Sequence, residues 1–136
     1  MPGPNRTVFV VDDEVVIAET LAIILNQAGF QASAFDHPEK AIAALAELSP
    51  SLLISDVMMP GMTGIQLAIH FRKAQPECKV LLFSGQASTA NLLEKARAQG
   101  YDFDILSKPV HPADLLAKLR VGLAYLSDTA HIRCTA

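Results

Sequence analysis

Five short apolar runs, each followed by a stretch of helical periodicity, constrain this chain more than any other feature of its sequence. Residues 7–11 (TVFVV) are apolar almost throughout, as expected of a strand buried on both faces. Behind them Ile17, Leu21, Ile24, Leu25 and Ala28 recur at helical spacing and form one apolar stripe, which Gly29 terminates. Residues 30–35 read as a second strand, more polar and so suited to a sheet edge. Asp36 and His37 precede Pro38, a good first helical residue; Ala41, Leu45 and Leu48 give that second helix its buried face, and Ser49-Pro50 ends it. Residues 52–55 form a short third strand that runs into Asp56. The segment 58–64 (MMPGMTG) is Gly- and Pro-rich loop chemistry. Thr63 and Gln66 then have capping-box spacing and open a third helix, with Leu67, Ala68 and Phe71 on one face. Residues 79–84 (KVLLFS) are the fourth strand, 89–99 the fourth helix and 103–106 the fifth strand. Pro112 starts a fifth helix whose stripe is Leu115, Leu116, Leu119, Leu123 and Leu126.

Strands that alternate with helices are joined by crossovers and therefore pair in parallel. The predicted fold class is α/β, a doubly wound five-stranded parallel sheet with five helices on its two faces. With 136 residues the chain suffices for one domain with its own core, over residues 7–126, flanked by short tails at 1–6 and 127–136. Net charge is −3 with acids and bases interspersed, which argues against a nucleic-acid surface, since that needs clustered Lys and Arg. Cys78 and Cys134 form neither a disulfide framework nor a metal-ligand pair and suit a reducing compartment. Residues 1–6 carry no apolar signal core, and no apolar run approaches the roughly 20 residues a bilayer span requires, so a soluble, cytoplasmic protein without membrane contact is expected.

Ligands of an open parallel sheet bind beyond the carboxyl ends of its strands. Those ends carry Asp12 and Asp13 after the first strand, Asp56 after the third, Ser84 after the fourth and Lys108 after the fifth. Three carboxylates sharing a rim repel at roughly 4 kcal/mol per pair near 4 Å for an effective dielectric of about 20, so the cluster calls for a cation. Oxygen-only ligands favour Mg²⁺ over zinc or copper. One carboxylate could be a nucleophile toward phosphorus, with the metal, the lysine and the hydroxyl neutralising the transferring group. Each residue also has a plainer reading: the acids as helix caps, Ser84 as a turn residue, Lys108 as a solvated side chain. Their joint occurrence at one sheet rim favours the chemical reading. His37, His70, His111 and His131 are dispersed and receive no role.

These residues carry a resemblance. Over about residues 7–126 the chain is similar to the receiver domains of bacterial two-component response regulators, through VVDDE (10–14), ISDVMMPGMTG (54–64), FSG (83–85) and SKP (107–109). The resemblance implies a flavodoxin-like strand order 2-1-3-4-5. It implies Asp56 as phosphoacceptor, and Asp13, Asp56 and the Met58 backbone carbonyl as direct Mg²⁺ ligands, with Asp12 acting through water. It further implies that Ser84 hydrogen-bonds one phosphoryl oxygen, that Lys108 pairs with another, that Gly85 keeps the approach open, and that the Lys108–Pro109 bond is cis. The donor would be a histidine kinase or phosphotransfer protein. Output would pass through a downstream protein, self-association or a phosphorelay, with the fourth helix, fifth strand and fifth helix as the interaction face. A stand-alone receiver is expected, although the receiver of a longer regulator would read the same way.

The pattern departs from the family at one place. The aromatic that receivers carry three positions before Lys108 is Ile105 here, so either Phe103 serves through a register change or the switch runs without an aromatic. Two rival readings remain. An aspartyl phosphohydrolase would want a second acid two positions after its nucleophile, where Asp56 has Met58. A phosphate-independent receiver-like binding module would share the shape without the chemistry.

Overall fold

The first strand, β1 (Thr7–Val11), shows why its run is unbroken: Phe9 and Val11 enter one core while Val8 and Val10 enter another on the opposite face. The computed structural model describes residues 6–84, 89–101 and 103–107, with Ala113, Leu116 and Ala117 as isolated positions. The same alternation holds in β3 (Leu52–Asp56) and β4 (Lys79–Ser84), where Leu53 and Leu82 face the first core and Ile54 and Leu81 the second. With β2 (Gln31–Phe35) and β5 (Asp104–Ser107) these strands form a parallel sheet in the order β2-β1-β3-β4-β5. The doubly wound, flavodoxin-like order expected from the resemblance is therefore observed.

Helix α1 (Val15–Gln27) covers the second core with Ala18, Leu21 and Leu25, joined by Leu116. The helices α2 (Pro38–Ala44), α3 (Gly64–Ala74) and α4 (Thr89–Ala98) flank the first core, in which Phe9 meets Phe71 edge-on at 5.9 Å and Phe35 at 4.9 Å. The fifth helix predicted from Pro112 lies largely outside the described residues, of which Ala113, Leu116 and Ala117 are helical.

Several boundaries differ from the sequence reading. Phe30 precedes β2, because its amide bonds Leu25 O in the turn that closes α1, where Gly29 takes φ +99°. The second helix stops at Ala44. The amides of Leu45, Ala46 and Glu47 reach back only three residues, and this tighter winding turns Leu48 outward to 44% exposure instead of into the core. Phe103 lies ahead of β5, which begins one residue later than expected.

The edge strand β2 is tied down by α1. The Asn26 side chain accepts from Ala32 N–H through Oδ1 at 2.8 Å and donates through Nδ2 to Ala32 O at 3.2 Å. Among the described residues no helix is long and apolar enough to cross a membrane.

Candidate functional site

The backbone delivers the acids to one rim. Asp12 follows β1, and its amide extends the ladder by donating to Phe35 O at 3.1 Å. Its Oδ1 accepts from Glu14 N–H at 3.0 Å, an Asx-type turn leading into α1, whose N-cap residue is Glu14 and carries no side-chain cap bond, so Asp12 is not the helix cap. Asp56 is the last residue of β3 and pairs with Phe83 of β4. Asp12 and Asp56 are buried and Asp13 is exposed. One carboxylate oxygen from each of Asp12, Asp13 and Asp56 lies within 4.8 Å of the others. Asp12 thus takes part both in the turn before α1 and in the acidic cluster.

Three hard oxygen donors converging from two adjacent strands, one of them open to solvent, fit a divalent cation of the Mg²⁺ kind, which keeps several waters and accepts few protein ligands. Ser84 ends β4, one residue beyond the partner of Asp56, and is buried at the same rim. Across the next ladder Ser84 pairs with Ser107, so β5 runs toward the same edge. Lys108, Gly85 and the Lys108–Pro109 bond lie outside the described residues. Met58 is 42% exposed while Met59 is buried, which leaves the Met58 side chain outside the core.

The segment after Asp56 is shaped by hydrogen bonds. Val57 N–H donates to Phe83 O at 3.0 Å, and Gly64 N–H returns to Val57 O at 2.8 Å. Gly61 turns the loop at φ +83°. Thr63 and Gln66 form the predicted capping box, with Thr63 N–H donating to Gln66 Oε1 at 2.9 Å and Gln66 N–H to Thr63 Oγ1 at 3.2 Å. Two neighbours of Asp56 escaped the sequence reading. Ser55 is fully buried and its Oγ donates to Asp56 O at 2.9 Å, and Gly64 packs directly on that same carbonyl. Ser55 carried no signal beyond being a polar residue inside an apolar strand. Gly64 closed a Gly-rich motif without indicating what it faced.

Phe103 is buried at the opposite end of β5 from Ser107. It stacks on Tyr101 at 6.2 Å between centroids and lies under the Arg72 guanidinium at 5.5 Å, while Arg72 Nε donates to Cys78 O at 2.9 Å. Ile105 pairs with Leu82 and is half-buried against the first core. Burial pushes the Cys78 thiol up to about 12, with a smaller opposing effect from the Arg72 charge. His70 is exposed on α3.

A doubly wound sheet of this order with an acidic rim at the ends of β1 and β3 defines a receiver-type signalling fold. Residues 8–120 match the response regulator receiver domain, and the chain belongs to that family, whose members are the receivers of two-component systems. It is 30% identical over 128 residues to the DNA-binding response regulator MtrA of Mycobacterium bovis, a match covering 94% of this chain and 55% of MtrA. It is 27% identical over 121 residues to the phosphate regulon transcriptional regulatory protein PhoB of Pseudomonas aeruginosa, covering 88% of this chain and 52% of PhoB. The chain thus spans about half the length of these relatives. Its fold is shared with a CheY-like response regulator receiver domain protein from Methanospirillum hungatei, at a TM-score of 0.81 and 24% identity, covering 91% of this chain and 98% of that one.

Proposed function

We propose that this receiver is a phosphorylatable switch in which Asp56 accepts a phosphoryl group from a phosphohistidine on a histidine kinase or phosphotransfer protein. The observation that carries the reading is the convergence of Asp12, Asp13 and Asp56 within 4.8 Å at the rim of the sheet. An Asp56 carboxylate oxygen attacks phosphorus, the P–N bond to the donor imidazole breaks, and the imidazole leaves with that electron pair and takes up a proton. The product is an aspartyl phosphate. Asp13, Asp56 and the Met58 carbonyl would hold Mg²⁺ directly and Asp12 would hold it through water; the ion supplies charge neutralisation at the phosphoryl oxygens. Ser84 donates to one of these oxygens and Lys108 pairs with another. The chain catalyses only its own phosphorylation and dephosphorylation and has no separate substrate.

The functional unit is residues 7–126, working in the cytoplasm. Its output passes to a protein partner or a second copy through α4, β5 and the helix that follows, with no nucleic acid contacted by this unit. The test is intact mass after incubation with acetyl phosphate and Mg²⁺, beside Asp56→Asn. One added phosphoryl group, stable in acid, labile in base and missing from the variant, is expected. Absence of any adduct would instead identify a phosphate-independent binding module, and steady turnover of generic phosphoesters would identify a hydrolase.

A further inference from the structure

We infer that Gly64 is a positioning residue for Asp56: its missing side chain lets the start of α3 sit against the Asp56 carbonyl and fix the peptide from which the carboxylate projects. The inference rests on the reading of Asp56 as phosphoacceptor. A Cβ at position 64 would fall far inside van der Waals distance of Asp56 O, 2.9 Å from Asp56 C and 3.0 Å from Ser55 Oγ. The obstacle is backbone, which cannot rotate away as a side-chain tip can. Gly61 and Gly100 have open space at the equivalent point and are explained by their positive φ, so the constraint at Gly64 is of a different kind.

The Asp56 carbonyl is fixed from two directions. The Ser55 hydroxyl donates to it at 2.9 Å, and the Gly64 α-carbon closes on it from the α3 side. One peptide further on, Val57 O accepts from Gly64 N–H at 2.8 Å, and Val57 N–H is bound to Phe83 O at 3.0 Å. The first turn of α3 is itself set by the Thr63–Gln66 capping box. Asp56 is thus held between β4 and the N-terminus of α3 with little room for its φ and ψ to drift. A methyl group at 64 must displace either α3 or the Asp56 peptide by on the order of 1 Å, a misplacement that costs a reacting group roughly 100-fold in rate.

The experiment compares the wild-type chain, Gly64→Ala and Ser55→Ala in three measurements. These are the rate of Asp56 phosphorylation by acetyl phosphate under saturating Mg²⁺, Mg²⁺ affinity from amide chemical shifts near Asp13, and the urea midpoint. Gly64→Ala is expected to be phosphorylated about 100-fold more slowly, at temperatures where it remains folded, and to bind Mg²⁺ more weakly. Ser55→Ala, which removes one fixing contact without adding a clash, is expected to slow several-fold. A folded Gly64→Ala with wild-type rate and Mg²⁺ affinity would overturn the inference, leaving Gly64 a packing residue alone. Should Gly64→Ala not fold, a wild-type rate in Ser55→Ala would overturn it. If the wild-type chain itself acquires no phosphoryl group, the reading of Asp56 falls and this inference with it, an outcome distinct from a phosphorylated wild type with indifferent variants.

Discussion

Asp56→Asn should make the metal-free protein more stable, although it removes the residue on which the proposed function depends. Asp12 and Asp56 are both buried, with carboxylate oxygens within 4.8 Å of each other. At an effective dielectric of about 20 two unit charges at that separation repel by about 3.5 kcal/mol. Asp13 is solvent-exposed, so its repulsion of Asp56 is screened to about 1 kcal/mol or less. In the unfolded chain these groups are hydrated and separated, and most of the repulsion disappears. Asparagine keeps the shape and much of the hydrogen-bonding capacity of Asp56 while removing its charge. After allowance for the favourable contacts the carboxylate also loses, a net gain of about 2 kcal/mol is expected. Urea unfolding in EDTA at fixed ionic strength reads this as a rise in midpoint of about 1 M, with an unchanged slope. Mg²⁺ at about 100 times its dissociation constant should stabilise the wild type by about 2.7 kcal/mol and the variant far less, closing or reversing the gap. A variant whose midpoint in EDTA equals or falls below the wild type would refute the electrostatic reasoning. The rim acids would then not be a strained cluster awaiting a cation.

Thr63→Ala removes one half of the capping box and should cost about 1 kcal/mol, measured as a lower urea midpoint with an unchanged slope. Arg72→Ala loses the bond to Cys78 O and the contact over the Phe103 ring, for about 1–2 kcal/mol; Arg72→Lys should recover little of it, because an ammonium cannot present the same planar face. Cys78 should resist alkylation in the folded state. With its thiol raised from 9.0 to about 12 by burial, it stays protonated when folded and ionises when unfolded, so its contribution to stability is complete below pH 9 and is lost as pH rises toward 12. Across the alkaline part of that window the wild-type midpoint should fall faster than that of Cys78→Ala, and parallel decline in the two proteins would contradict this.

What the sequence made legible were features whose partners lie close along the chain or whose period is strong. The capping box needed only Thr63 and Gln66, three residues apart, and the buried strands needed only their continuous apolar runs. The rim acids could be grouped because strand ends in a parallel sheet converge, an argument from topology rather than contacts. Boundaries were harder. Phe30 looks like strand by composition, yet its amide is committed to the turn behind α1, and Leu48 keeps its helical spacing in a segment that has already tightened its winding. Tertiary proximity was invisible: nothing local indicates that Gly64 abuts the Asp56 carbonyl, or that Arg72 reaches Phe103. The structure places Phe103 in a stack with Tyr101 ahead of β5, and Ile105, three positions before Lys108, opposite Leu82 in the sheet.

The two hydrogen bonds between Asn26 and Ala32 have a consequence for how this protein keeps company. A boundary strand with bare amides and carbonyls is a template on which another chain can crystallise as one more strand, and β2 occupies such a boundary. The carboxamide of Asn26 offers Ala32 one acceptor and one donor, as a neighbouring strand would, and it does so from a helix that cannot propagate the sheet. The edge is capped at its second residue by an imitation strand one peptide long. Two copies of this chain are thereby hindered from zippering along β2 at Ala32.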